Sequence, residues 1–153
     1  MPSYNFDYGG QGKAWETSQS RPFTSDYRSV NGDPNCPVEV DGITGTTPSY
    51  IVWVDITNSW YTYTVEVADA GEYLIEVDYG AQLPSSLNAQ ALITVDLLDY
   101  YGIVPLPVDD ISGWGVHQSG YGKSVYFAAG THKVKFQILG SPIQYYGLRF
   151  TKL

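Results

Sequence analysis

Two histidines, one cysteine and sixteen carboxylates are where acid–base, nucleophilic or metal chemistry would be sought first in this 153-residue sequence. His117 and His132 stand alone, and no H-x-x-x-H or H-x-H pair offers a metal two nitrogens from one element. His132 is in step with Val134, Phe136 and Ile138, so it reads as a hydrogen-bonded core or rim histidine; His117 reads as a loop residue near ligand or solvent. Cys36, the single cysteine, can form neither an intramolecular disulfide nor a thiolate cage, and reads as a small semi-buried apolar residue in a Pro-bounded loop. Asp109 and Asp110 are adjacent, so an extended chain points them apart, whereas a glycosidase needs two carboxyls facing each other roughly 5–9.5 Å apart across a sugar. They are expected to be loop charges that cap a turn or hold calcium. G-x-S-x-G and Walker motifs are absent, and Gly9-Gly10-Gln11-Gly12 lacks the strand–loop–helix setting of a phosphate cradle. The chain is read as non-catalytic and without a cofactor.

The aromatic side chains are more informative. There are 14 Tyr, 5 Phe and 4 Trp, and most fall in strand-like alternation, where packing explains them. Two sit in loop sequence: Tyr27 in Ser25-Asp26-Tyr27-Arg28 and Trp114 in Ser112-Gly113-Trp114-Gly115. Glycines on both sides leave an indole face open to approach. A sugar ring offers an apolar C–H face with a fringe of hydroxyls, so an aromatic platform with amides or backbone groups beside it suits a neutral sugar.

The elements that must position these residues are strands. Gly and Pro number 16 and 9, and the hydrophobic fraction is 43%, enough for a core and rich in turns. The first 49 residues show little periodicity and are dominated by turn chemistry. Strands are then expected at Tyr50–Asp55, Trp60–Ala68, Glu72–Tyr79 and Ala91–Leu98. A turn at Asp99–Gly102 and a short strand to Pro105 follow. Asp109–Gly115 and His117–Gly120 read as loop, and Lys123–Ala128, Thr131–Leu139 and Tyr145–Lys152 complete the set. Tyr61, Tyr63, Val65 and Val67 share one face of their strand; Trp53 and Trp60 are expected to pack between sheets. Eight to ten short strands with regular turns predict an all-β, antiparallel two-sheet β-sandwich, one domain over residues 1–153.

The net charge of −8, with no Lys/Arg cluster, excludes nucleic acid and anionic membrane as favoured partners. No apolar run approaches the roughly 20 residues of a membrane span. Met1-Pro2-Ser3-Tyr4-Asn5 lacks the basic start and apolar run of a signal peptide. The expectation is a module of a larger secreted protein, or a whole protein leaving the cell by another route.

The stretch Tyr50–Tyr73, YIVWVDITNSWYTYTVEVADAGEY, resembles the centre of family 6 carbohydrate-binding modules, with their y-v-x-W…G-x-W-x-x-Y-T-V-x-V-x-x-A-G-x-Y pattern. Asn5–Gly12 (NFDYGGQG), Tyr27-Arg28, Pro105-Leu106-Pro107 through Gly113-Trp114, Ala129–His132 and Tyr145–Phe150 fit further family segments in order. Asn58-Ser59-Trp60 departs from the usual G-D-W. The resemblance implies a jelly roll that binds sugar at the loops joining its sheets. Tyr27 and Trp114 would clasp one ring, and Gln144 would stand where the family has a hydroxyl-binding Asn. It also implies a structural calcium near the first strand, but Tyr146 occupies the Asp position of that site, so no metal is expected.

Non-catalytic binding of a neutral polysaccharide or glycan is therefore the leading reading, on an extracellular module that accompanies a parent enzyme. The alternative is a bacteriophage virion decoration or fibre protein that reuses the sandwich for assembly on the particle surface.

Overall fold

The computed structural model describes residues 1–9, 12–17, 40–42, 50–54, 58–96, 99–108 and 118–153. Ten strands form two five-stranded antiparallel sheets. The first has the order β1-β4-β9-β6-β7, with β1 at Trp15–Glu16, β4 at Trp60–Val67, β9 at Gly130–Leu139, β6 at Gln90–Val95 and β7 at Asp99–Pro105. The second has the order β2-β3-β10-β5-β8, with β2 at Val40–Gly42, β3 at Tyr50–Val54, β10 at Ile143–Lys152, β5 at Gly71–Gly80 and β8 at Gln118–Phe127. From β7 onward the chain alternates sheets, as a jelly roll does. Among the described residues there is no α-helix.

The core follows from period-2 alternation. Tyr61 and Tyr63 of β4, Ile75, Val77 and Tyr79 of β5, Val134, Phe136 and Ile138 of β9, and Tyr145 and Leu148 of β10 all turn inward and are buried. Phe136 and Tyr145 stack face to face across the sheets at 3.9 Å and 3°. Each fully buried apolar side chain contributes roughly 1.5–3 kcal/mol of transfer free energy, so this double layer dominates stability. The N-terminal residues close one seam. Met1 and Pro2 lie against Gly147 and Leu148, Ser3 accepts the Tyr63 hydroxyl through its carbonyl at 2.9 Å, and Asp7 accepts the Thr64 N–H at 2.8 Å.

Two boundaries differ from expectation. The Asp99–Gly102 segment is strand: β7 pairs with β6 from Asp99 onward, across an irregularity between Ile93 and Thr94, and the reversal falls earlier, where Asp96 takes φ +52°. The Gln118–Gly120 segment, expected as loop, is the start of β8 and pairs with Val77–Tyr79. Gly120 marks a close approach rather than a turn. A Cβ there would sit 2.8 Å from the Pro105 carbonyl oxygen and 2.7 Å from Leu106 Cδ2, where β7 passes beside β8.

Candidate functional site

Of the three residues expected to hold sugar, Tyr27 and Trp114 lie outside the described residues. Gln144 stands near the start of β10, in register with Gly80 of β5 and Trp53 of β3. It is only 6% exposed, and its Oε1 accepts the Tyr146 hydroxyl at 3.0 Å. Gly80 leaves room for that pair, since a Cβ there would be 2.9 Å from the Tyr146 oxygen and 3.1 Å from Gln144 Oε1. Tyr146 thus sets the orientation of the Gln144 amide.

The same pole is tied down by side chains. The Tyr79 hydroxyl donates to the Pro107 carbonyl at 2.6 Å, and the Ser86 hydroxyl donates to Pro142 at 2.6 Å while accepting the Gln82 N–H. These bonds fix the root from which the chain runs on toward Trp114 and the connection between β5 and β6.

Trp60 corrects an expectation. With Tyr61 and Tyr63 facing inward, alternation turns Trp60 to the outer face of the first sheet, where it is half-buried rather than packed between sheets. The alternation alone carried this signal; the size of the indole argued for the core and was the weaker guide. Pairing places Glu16, Trp60, Gln137, Leu92 and Ile103 in one row across all five strands, a span of roughly 19 Å at about 4.8 Å per strand. Lys135, on the adjacent row, holds its ammonium 4.3 Å from the Trp60 ring centre, and burial holds its pKa below the usual lysine value. This face combines a carboxylate, an aromatic ring, an amide, two aliphatic side chains and a cation.

The outer face of the second sheet is ionic. Arg149 of β10 bonds Asp78 of β5 at 3.1 Å and lies 3.7 Å from Glu76, while Thr151 donates to Glu76 and Ser119 donates to Asp78. Its charged groups largely satisfy one another. Among the described residues, no group of three His, Cys, Asp or Glu could hold a metal ion.

Neither a protein-family sequence model nor a curated protein sequence matches the chain. Solved structures do. The C-terminal family 6 module of a marine laminarinase from Zobellia galactanivorans superposes with a TM-score of 0.60 at 19% identity, over 75% of this chain and 88% of that one. A family 6 module of Cellvibrio mixtus lichenase 5A, in complex with cellotriose, gives 0.58 at 19% identity, over 76% and 87%. The fold is that of a family 6 carbohydrate-binding module. Family 35 modules share it as well. A Paenibacillus cycloisomaltooligosaccharide glucanotransferase also superposes, with a TM-score of 0.58 at 18% identity, over 75% of this chain and only 16% of the enzyme.

Proposed function

We propose that this protein binds a neutral glycan without transforming it. The observation that carries the reading is the outer face of the first sheet, where half-buried Trp60 shares a row with the Gln137 amide and lies under the Lys135 ammonium. An indole desolvates the C–H face of a sugar ring, while an amide and an ammonium on a long, mobile stem donate to its hydroxyls. A row of roughly 19 Å suits an oligosaccharide segment more than a single ring. A net charge of −8 disfavours polyanionic glycans.

Tyr27, Trp114 and Gln144 form the second locus of the proposal, a clasp at the loop pole that takes one ring or a chain end. Gln144, held by Tyr146, presents an amide of fixed orientation there. Glycan binding in general is supported by neighbours of the same fold, which include a module complexed with cellotriose and a β-1,3-glucan-binding module. An extracellular setting beside a parent enzyme fits such a module.

Affinity electrophoresis and calorimetry against cello-oligosaccharides, β-1,3-glucan, xylan and α-glucans test the reading. The wild-type chain is expected to bind at least one of them, Trp60→Ala to lose the sheet-face component and Trp114→Ala the loop component. Binding that neither substitution reduces overturns both site assignments. No binding to any of them, together with self-assembly on size exclusion, points instead to a decoration or fibre role in a virion.

A further inference from the structure

His132, the third residue of β9, turns its ring inward, edge-on to Phe127 at 5.0 Å and 76°, with its side chain 13% exposed. Its Nδ1 lies 2.7 Å from Asp96 Oδ2, and its Nε2 lies 2.9 Å from the carbonyl oxygen of Ala128. Neither partner offers a proton. A carbonyl oxygen only accepts, and the Asp96 carboxylate already accepts the Lys133 N–H on Oδ1 at 2.8 Å. A neutral imidazole has one N–H and one lone pair, so in either tautomer it would set a lone pair against an oxygen. Only the imidazolium satisfies both contacts.

The two contacts join different layers. Asp96 follows β6 and His132 belongs to β9, both of the first sheet, whereas Ala128 lies in the short connection that leads from β8 of the second sheet into β9. We propose that His132 is a proton-operated latch: as a cation it clamps the β8–β9 connection to Asp96, and on losing its proton it loosens that connection. The neutral ring would keep Nδ1–H on the carboxylate, the stronger acceptor, and turn the Nε2 lone pair toward Ala128. Phe127, next in sequence to Ala128, stays paired with Gly71 of β5 but would lose one of the ties that position it. It lines a pocket of about 330 Å³ at the edge of the sandwich, with Val65, Val67, Tyr73 and Phe150. Loosening at Ala128 would therefore widen access to that wall.

The charged groups facing the ring favour the cation. Asp96 faces it from the turn after β6, and Glu66 faces it from β4, with Oε2 accepting the Thr131 hydroxyl at 2.7 Å. Lys133 on β9 itself turns its ammonium to Asp7 and Thr64, and β8 contributes only the uncharged Phe127. The Asp96 hydrogen bond accordingly raises His132 above its ordinary 6.5 and holds Asp96 below its ordinary 3.8. A raised histidine contributes stability that is complete below pH 6.5 and is lost as pH rises through the folded-state value. The lowered Asp96 contributes above pH 3.8 and is lost as pH falls through its own folded-state value. The latch is closed between those two limits.

Nitrogen-detected NMR of the intact chain, with His117→Gln used to assign the second histidine, reads the proton directly. Both ring nitrogens of His132 should carry protons at pH 6.5, and the ring should titrate above it. Hydrogen exchange at residues 128–131 and binding of a hydrophobic dye should rise with the same midpoint. Asp96→Asn should lower the His132 midpoint by about one unit, a tenfold change in proton affinity, and move the exchange and dye transitions with it. A His132 ring already neutral at pH 6.5 overturns the proposal. So do exchange and dye profiles that stay flat through the His132 titration, or that stay put in Asp96→Asn while the midpoint moves.

Discussion

The two sheets of this sandwich share one inner layer but present opposite outer faces. The second sheet spends Arg149, Asp78, Glu76, Thr151 and Ser119 on one another, so a ligand would have to displace bonds already made. The first sheet presents Trp60, Leu92 and Ile103 with Lys135 and Gln137 beside them, surface that gains by being covered. Two similarly ordered five-stranded sheets thus present one face of paired charges and one face of mixed aromatic, aliphatic and polar groups. The difference lies entirely in the outward-pointing residues of alternating strands, which the core does not constrain.

The largest expected effect breaks what the faces have in common. Phe136→Ala removes the ring stacked on Tyr145 from a fully buried site. It should lower unfolding free energy by about 3–5 kcal/mol in chemical denaturation and weaken any ligand binding only through loss of folded protein. Trp60→Ala separates the faces. Glycan affinity should fall at least about tenfold, equivalent to ~1.4 kcal/mol, in calorimetry, with a much smaller change in the denaturation midpoint. Lys135→Met tests the cation alone, and about 0.5–1.5 kcal/mol of glycan affinity, the worth of one hydrogen bond, is expected to go. Arg149→Ala should leave glycan binding unchanged. Because Arg149 is 58% exposed, its stability cost should be under about 1 kcal/mol and shrink in high salt. If Arg149→Ala weakened binding more than Trp60→Ala, the assignment of faces would be reversed.

Much of this arrangement was legible in the sequence. Alternation in Trp60–Val67, Gly71–Gly80 and Gly130–Leu139 set the strands and their inward residues, because a long half-buried strand repeats its pattern often enough to be read. The hydrogen-bonded rim position of His132 was equally readable from its step with Val134. β1 and β2 were not, since strands of two and three residues contain no period to detect. The beginning of β8 was misread because Gly120 serves a contact with β7 that is distant in sequence, and glycine there looks like a turn. At the candidate site, the outward position of Trp60 was written in the alternation. Its partnership with Lys135 depends on the β4–β9 register, which only the tertiary fold sets. Gln144 was found through the family pattern; its bond to Tyr146 requires Gly80 opposite, information held on β5, five strands earlier in the sequence.

The core of this protein is built to an unusual degree from phenols: Tyr61, Tyr63, Tyr79 and Tyr145 are wholly enclosed. For Tyr145, burial raises the pKa far beyond the ordinary 10.0, so its hydroxyl cannot ionise while the sheets are closed. The ultraviolet band of its phenolate can therefore arise only from molecules that have opened. In alkaline solution the sandwich would carry its own optical gauge of integrity, requiring neither label nor ligand.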